Sequence, residues 1–380
     1  MDRKDIKNIL YKVDSGTASA EEEEIAKYWL HYFHKDDISK LSAAELDEES
    51  ELIFKALMKN RKVKSAGLNR FWYSAVAAAI VIITGSVFFY NHQESRKPLS
   101  SSNIYVNDVA PGTKTATLTL ANGKRIVLSD ALNGQIAKQA GVSIIKTPDG
   151  QLIYKIDPAV QTDAKQTYNS LTTSRSETYQ IILPDGSKVW LNAASSIKYP
   201  STFAALKKRV IELNGEAYFE ISKDKERPFI VKTADQEVEV LGTHFNVNAY
   251  GDEEATKTTL LEGSVRINIG KAVAGMLKPG QQGILSGDKL EIEPADIETE
   301  LAWKNGFFRF NDEKLESIMR KISRWYDIEV VFENDALKKE PFAGVTTRFT
   351  NVSELLRMLE LTGEVKFQIK GRQIRVLNAK

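Results

Sequence analysis

The sequence predicts a multidomain protein: a small all-α domain, one transmembrane helix, an all-β region of solenoid-like or sandwich-like form, and a C-terminal α+β domain of two β-α-β units. Three observations predict it. Residues 71–90 form an apolar run without Asp, Glu, Lys or Arg. Before this run apolar residues recur at helical spacing, and after it they alternate with polar residues in many short segments. The predicted boundaries are 1–70, 71–90, a linker at 91–102, 103–300 and 301–380.

The composition of the 380-residue chain limits its chemistry. Lys and Arg total 52 and Asp and Glu total 51, so the net charge gives no reason to expect nucleic-acid binding. The absence of cysteine excludes thiolate metal sites and thiol nucleophiles. No phosphate-binding glycine loop, zinc-protease motif or serine elbow is present. His244 lies in an apolar strand context and is expected to be structural, so we predict that the chain is not an enzyme and binds no cofactor or metal.

Residues 1–70 are predicted to form three short helices. Ser19 can cap the second helix ahead of the acidic residues 21–24, and Ser42 with Glu45 resembles a capping box before the third. The second helix carries an apolar stripe made of Ile25, Tyr28, Trp29, Tyr32 and Phe33. Such a stripe can be ordinary core packing, but three short helices make only a small core and carry no catalytic group. We therefore predict that the stripe binds a partner protein.

Residues 71–90 are predicted to cross a membrane. A helix of these 20 residues rises about 1.5 Å per residue and so spans roughly 30 Å, the thickness of the hydrocarbon core. A buried core helix is the alternative, but such helices rarely stay uncharged over this length. The basic flanking residues are Lys59, Arg61, Lys62, Lys64 and Arg70 before the run, and Arg96 and Lys97 after it. By the positive-inside rule the N-terminus is cytoplasmic and the C-terminus lies across the membrane, in the periplasm of a Gram-negative cell.

The predicted span also contains small residues that favour local unwinding of a helix: Ala77, Ala78, Ala79, Gly85 and Ser86. An intramembrane protease needs such unwinding, so these residues are predicted to form a cleavage-prone segment. Small residues are also common in transmembrane helices generally, and the sequence leaves both interpretations open.

Turn signals divide residues 103–300 into short alternating segments. An Asn-Gly pair at 122–123 and a Pro-Asp-Gly triplet at 184–186 each lie between two such segments, which is typical of hairpins. The two hairpins superpose 63 residues apart, and residues 147–150 are a third, shorter copy. An irregular β repeat is therefore predicted. Further strands are predicted at 210–213, 217–221, 229–232, 238–241, 245–249, 258–262 and 265–269.

Two other segments of this region are predicted to be irregular. Residues 132–169 are expected to be an inserted hairpin and loop. The acidic run Asp252, Glu253 and Glu254 is expected to be a solvated turn. Neither segment is assigned a function.

Residues 301–380 contain two rounds of strand, helix and strand. The first round consists of a strand at 306–310, a helix at 313–325 and a strand at 328–332. The second consists of a strand at 342–349, a helix at 353–361 and paired strands at 365–369 and 373–377. Asn351 or Ser353 is expected to cap the second helix.

Several segments resemble a known family. They are LPDGSKVWLNAASSIKYP at 183–200, LNGEAYFEISKDKERPFIVKT at 213–233, VEVLGTHFNVNAY at 238–250, LLEGSV at 260–265 and LKPGQQ at 277–282. In this order they closely resemble the FecR family of periplasmic signalling domains. The segments around Gly16, 18–23 and Trp29-Leu30 resemble the anti-sigma domain of that family. The C-terminal module resembles the small domain at the N-termini of secretins and TonB-dependent receptors, which also ends many Bacteroidetes-type FecR proteins.

The resemblance implies a transmembrane anti-sigma factor of the inner membrane. The helices of 1–70 would hold an extracytoplasmic-function sigma factor through the apolar stripe, and the outer domains would sense a TonB-dependent outer-membrane transporter. Regulated proteolysis by an intramembrane protease would relay the signal and control genes for the uptake of an iron chelate or a glycan. The residues expected to face the receptor are Phe308, Phe310, Arg348 and Phe349.

Two other classes of protein remain open from the sequence. One is a membrane-anchored periplasmic binding or scaffold module, for glycans for example, in which the N-terminal helices only anchor the chain. The other is an anchored hydrolase, which needs a cleft with convergent ionisable groups.

Overall fold

The computed structural model describes residues 108–139, 142–148, 150–156, 166–270 and 272–379. All of them belong to one compact unit, Ser100–Lys380. None of the helices that these residues form is long and apolar enough to cross a membrane. The predicted helices of 1–70, the predicted span at 71–90 and the linker at 91–102 lie outside the described residues.

The first part of the described chain is all β. Its strands are β1 Thr113–Lys114, β2 Thr117–Thr119, β3 Arg125–Val127, β4 Gly134–Gln139, β5 Val142–Lys146, β6 Leu152–Ile156, β7 Tyr168–Thr173, β8 Glu177–Ile182, β9 Lys188–Leu191, β10 Ser195–Pro200, β11 Arg209–Glu220, β12 Phe229–Lys232, β13 Glu237–Val240, β14 His244–Ala249, β15 Thr256–Glu262, β16 Val265–Ile269, β17 Ala272–Leu277, β18 Gln281–Ser286 and β19 Lys289–Pro294. Among the residues described between β1 and β19 no helix occurs, as the close spacing of turn signals predicts.

These strands form two sheets that share the long strand β11. One sheet has the order β3-β2-β7-β10-β11-β12-β13-β16-β17. The other has the order β4-β5-β6-β8-β9-β11-β14-β15-β18-β19, with β1 beside β8. The first half of β11 pairs with β10 and β12, and its second half pairs with β9 and β14. The chain therefore passes from one sheet to the other without a loop.

The two sheets pack face to face over one hydrophobic core. Apolar and polar residues alternate along the strands, so the apolar ones face this core. In β13, Val238 and Val240 are buried, whereas Glu237 and Glu239 are less buried. One cluster of buried residues includes members of both sheets, from Leu118 of β2 to Phe245 of β14. The hydroxyls of Tyr154 and Tyr199, which lie on opposite sheets, are 2.5 Å apart. The all-β region is thus a sandwich, the second of the two forms that the sequence left open.

The three predicted hairpin turns have one geometry. In each, a glycine with φ near +80° donates its N–H to the residue three positions before it, over 2.8–2.9 Å. These glycines are Gly123, Gly150 and Gly186. A positive φ favours glycine because it lacks a Cβ atom, so the repeat predicted from the turn signals is confirmed at the level of its turns.

The inserted segment contributes more than a hairpin. Strands β4, β5 and β6 form an antiparallel meander, and Leu152 of β6 pairs with Ile181 of β8. The meander extends the second sheet by three strands, and Ile144 and Leu152 enter the shared core. Residues 157–165 of this segment lie outside the described residues.

The C-terminal module follows a short connection. Its elements are helix α1 Ile297–Glu300 in the connection, then β20 Phe307–Lys314, α2 Leu315–Tyr326, β21 Glu329–Phe332, a 3₁₀ helix Asp335–Lys339, β22 Pro341–Thr347, α3 Val352–Glu360, β23 Val365–Lys370 and β24 Gln373–Asn378. β20 pairs with β22, and β24 lies between β21 and β23. This arrangement has the two β-α-β rounds that the sequence predicts. Both helices bury their apolar faces in a second core.

Candidate functional site: the junction between the sandwich and the C-terminal module

Arg348 of the C-terminal module is buried at the contact with the sandwich, with 3% of its surface exposed. Its Nη1 donates to the carbonyl oxygen of Trp303 over 2.9 Å, and its Nη2 donates to Oδ1 of Asn192 over 3.1 Å. The guanidinium also stacks on Trp325, 4.0 Å from the ring centroid. Burial lowers the pKa of Arg348 to about 10, so it stays charged at neutral pH. A buried cation held in this way fixes the two modules to each other.

Glu216 of β11 lies at the other end of this hydrogen-bond chain. Its carboxylate accepts from Nδ2 of Asn192 over 2.7 Å and from Nδ2 of Asn246 over 3.0 Å. Burial raises the pKa of Glu216, and the two amide hydrogen bonds offset only part of that effect. The Asn192 side chain therefore links a buried acid of the sandwich to the buried Arg348 of the C-terminal module.

A second contact joins Glu253 of the sandwich to two arginines of α2. Nε and Nη2 of Arg320 donate to one carboxylate oxygen over 2.9 and 2.7 Å, and Arg324 donates to the other. Arg324 also lies over the ring of Tyr250, 3.9 Å from its centroid. Burial raises the pKa of Glu253, but the hydrogen bonds and charges of the two arginines outweigh burial and hold the pKa below its usual value. This carboxylate is therefore ionised and paired.

A small polar cavity of about 50 Å³ lies between these two contacts. Three buried atoms of its lining residues have no protein hydrogen-bond partner: Nε of Arg348, Nε1 of Trp303 and Oδ1 of Asn248. A cavity of this size and polarity can hold a few ordered waters. Within the described ranges no group of three or more His, Cys, Asp or Glu residues could hold a metal ion.

The structure places the predicted receptor-facing residues in two environments. Phe308, Phe310 and Arg348 are buried in the C-terminal module, whereas Phe349 is 61% exposed. A partner therefore reaches Phe349 directly and reaches the other three only if the module opens. The receptor contact itself stays a prediction.

The other predicted site residues are outside the region that the structure describes. They are the stripe Ile25, Tyr28, Trp29, Tyr32 and Phe33, and the small residues Ala77, Ala78, Ala79, Gly85 and Ser86. His244, the histidine considered above for a catalytic role, lies at the start of β14. Its Nδ1 is 3.3 Å from the Glu262 carboxylate, on a partly exposed surface.

The acidic run at 252–254 was expected to be a solvated turn, and for Glu253 this expectation is wrong. Its side chain is only 13% exposed because α2 packs over it with Arg320 and Arg324. Sequence reasoning also missed Glu216. Alternation along β11 places it on the same face as Glu212 and Asn214, which are exposed, yet Glu216 is buried.

Gly112, between the two modules, offers a direct test of how tightly they fit. A Cβ atom added there would lie 2.6 Å from the Ser176 carbonyl oxygen and 2.7 Å from the Trp325 ring. We expect Gly112→Ala to lower the free energy of unfolding by about 1–3 kcal/mol, as overpacking does. Chemical unfolding of the full-length protein in detergent measures this.

Gly251→Ala is the matched control for that substitution. An added Cβ there meets no atom within 4 Å, and the glycine does not have a positive φ. We expect a change of less than about 0.5 kcal/mol. Equal stabilities for the two variants would contradict the close fit at Gly112.

Two family models match the described modules. The family model described as FecR protein matches residues 169–266, which lie in the sandwich. The family model described as FecR, C-terminal matches residues 307–376, from β20 to β24. No curated protein matches the chain.

Two crystal structures of a candidate anti-sigma factor from Parabacteroides distasonis ATCC 8503 resemble the described fold. The structure at 2.50 Å is 26% identical, with a TM-score of 0.52, and the match covers 56% of this chain and 99% of that one. The structure at 1.65 Å is also 26% identical, with a TM-score of 0.51, covering 55% and 98%.

A sandwich followed by a module of two β-α-β rounds, each matching its own family model in this order, defines a two-module regulatory protein. The chain contains the FecR domain and the FecR C-terminal domain at these residues.

Proposed function

We propose that this protein is a transmembrane anti-sigma factor that crosses the inner membrane once, with its N-terminus in the cytoplasm and its C-terminus in the periplasm. The observation that carries the proposal is the paired match to the FecR and FecR C-terminal families, in a chain whose structure is similar to almost all of the crystallised chain of a candidate anti-sigma factor. The uncharged run at 71–90 and its basic flank support the membrane topology.

In this proposal the N-terminal helices bind an extracytoplasmic-function sigma factor. The apolar stripe of Ile25, Tyr28, Trp29, Tyr32 and Phe33 is the binding surface. A membrane-tethered helical domain this small can bury a stripe of five large side chains most completely against a partner. The protein acts as a regulator and not as an enzyme.

The sandwich and the C-terminal module together are called the outer unit here. In this proposal the outer unit senses the signalling domain of a TonB-dependent outer-membrane transporter. Two features of the C-terminal module support this role. Phe349 presents an exposed ring. β21 pairs with β24 and with no other described strand, so it is an edge strand of its sheet, the kind to which a partner can add a strand.

The signal then passes through the single span by regulated proteolysis. A single helix transmits small changes of shape poorly, whereas cleavage by an intramembrane protease releases the N-terminal helices outright. The segment with Ala77, Ala78, Ala79, Gly85 and Ser86 is the proposed cleavage-prone part of the span. The genes controlled are those for uptake of a nutrient such as an iron chelate or a glycan.

The test is co-purification of a sigma factor with the full-length protein from detergent-solubilised membranes. We expect Trp29→Ala to abolish co-purification because it removes the largest side chain of the stripe. Trp190→Ala, in the sandwich, is the matched control and should leave the sigma factor bound. If the wild-type protein brings down no sigma factor, the membrane-anchored binding or scaffold module becomes the better interpretation.

A further inference from the structure

The first residue of the described chain caps a helix near its end. Helix α3 begins after Asn351, whose side chain makes no capping hydrogen bond. Instead the carboxylate of Asp108 accepts from the Ser353 backbone N–H over 3.2 Å and from the Ser353 hydroxyl over 2.6 Å. A carboxylate at this position satisfies a free N–H group and interacts favourably with the helix dipole. The expected cap by Asn351 or Ser353 is therefore replaced by one from 245 residues away.

The residues that follow Asp108 are built into the C-terminal module as well. Val109 is 8% exposed and belongs to the hydrophobic core of that module, not to the core of the sandwich. Its carbonyl oxygen accepts from the Val352 N–H over 3.0 Å, at the same helix end. Two successive residues are thus fixed to the first turn of α3.

The next few residues are clamped between the two modules. Gly112 lies against the Trp325 ring and the Ser176 carbonyl oxygen, with no room for a side chain. The same carbonyl oxygen accepts from the Thr113 N–H over 2.7 Å, and the Ser176 N–H donates to the Arg324 carbonyl oxygen over 2.9 Å. From residue 113 onward the chain enters β1 of the sandwich.

We propose that residues 108–113 and the first turn of α3 form a latch, and that its opening carries the signal from the outer unit toward the membrane. The inference rests on the proposed function, because it takes the segment before residue 108 to lead to the membrane span. The C-terminal module binds the residues at which the chain enters the outer unit. A partner that displaces α3 therefore frees Asp108 and Val109, while Thr113 stays bonded to Ser176 of the sandwich, and no change within the sandwich is needed.

Hydrogen exchange measured by mass spectrometry on the full-length protein in detergent tests the latch. We expect Asp108→Ala to raise exchange roughly five- to tenfold both in the first turn of α3 and at the N–H groups of Val109 and Ala110, because both depend on the contact between Asp108 and Ser353, whereas the Thr113 N–H stays bonded to Ser176. Ser353→Ala should have the same pattern, and the double variant should add little to either. Asp130→Ala is the matched control, since the Asp130 carboxylate accepts only from its neighbour Ser129.

Two exchange results would overturn the latch. One is faster exchange at Val109 and Ala110 with α3 unchanged, and the other is additivity of the two single variants. Asp108→Asn, which keeps an oxygen but loses the charge, should fall between wild type and Asp108→Ala.

A transcription readout separates this inference from the proposed function. The reporter is a promoter used by the sigma factor that co-purifies with the protein. Deletion of the chain should raise its transcript, and Asp108→Ala should raise it part of the way at unchanged protein level. If deletion has no effect, the proposed function fails and the latch fails with it. If deletion raises the transcript but Asp108→Ala opens the latch without effect, only the latch inference fails.

Discussion

Replacing Arg348 with alanine is expected to lower the free energy of unfolding of the outer unit by about 3 kcal/mol. The substitution removes the donor of the buried Asn192 Oδ1 and leaves the Trp303 carbonyl oxygen with only a long contact, 3.4 Å, from the Gly306 N–H. Each such buried acceptor costs about 1–3 kcal/mol, and the stacking on Trp325 is lost as well. The effect is large because Arg348 is almost fully buried and contacts the Trp303 carbonyl oxygen, Asn192 Oδ1 and the Trp325 ring at the same time.

Chemical unfolding of the full-length protein in detergent, followed by tryptophan fluorescence, measures this change. Arg348→Lys should recover only part of the loss, because an ammonium group cannot reach both acceptors and stack on the ring in the way a planar guanidinium does. Arg266→Ala is the control: its partly exposed pair with Glu239 is worth at most about 1 kcal/mol. If Arg348→Ala is as stable as Arg266→Ala, the junction does not depend on Arg348.

Replacing Glu253 with alanine is expected to cost a similar amount, about 3 kcal/mol. The substitution leaves Arg320 and Arg324 close together with only the longer contacts to Glu316, at 3.7 Å, and Asp252, at 3.5 Å, and the Arg324 side chain is only 7% exposed. Removing one partner of a buried ion pair typically costs about 3–5 kcal/mol, and the partial exposure of Arg320 puts this site at the low end. The neighbouring Glu254→Ala is the control, because its bridge to Lys314 is exposed on both sides.

The same carboxylate should make the junction sensitive to acid. Because the pKa of folded Glu253 is held below its usual 4.5, the ion pair stabilises the fold fully above that pH. That stabilisation is lost as the pH falls through the folded pKa. Glu216 has the opposite sign: burial raises its pKa, so its contribution is greatest at low pH and is lost as the pH rises through the folded value.

The free energy of unfolding, measured at several pH values below about 5, distinguishes the contribution of Glu253 from that of Glu216. Wild type should lose more stability than Glu253→Gln over this range, because the variant has no carboxylate to protonate at this site. Parallel loss in both proteins would mean that Glu253 is not the acid-sensitive group.

Local patterns in the sequence predict much of this fold. The turns at Gly123, Gly150 and Gly186 and the alternation of β13 follow from backbone geometry and from the two faces of a strand, which depend on a few neighbouring residues. The helix at 313–325 follows in the same way from its apolar face and lies within two residues of α2.

Long-range contacts could not be predicted in this way. The cap of α3 by Asp108 joins residues 245 positions apart, and no local pattern indicates that pairing. Glu253 looks like part of an exposed acidic turn until α2 packs against it.

The burial of Phe308 and Phe310 was, in contrast, accessible from the sequence. Residues two apart on a strand lie on the same face, so two large aromatics at this spacing indicate the core face. Their neighbours Phe307 and Arg309 are correspondingly less buried. Arg348 could not be placed in this way because it follows the end of β22, where alternation stops.

The proposed function depends most directly on the membrane topology. It requires that the chain crosses the inner membrane once, with its two ends in different compartments. The measurement is protease treatment of spheroplasts carrying the protein with a tag before Met1 or after Lys380. We expect the C-terminal tag to be digested while the N-terminal tag survives together with cytosolic markers. A C-terminal tag protected alongside those markers, or a protein found wholly in the soluble fraction, would contradict it.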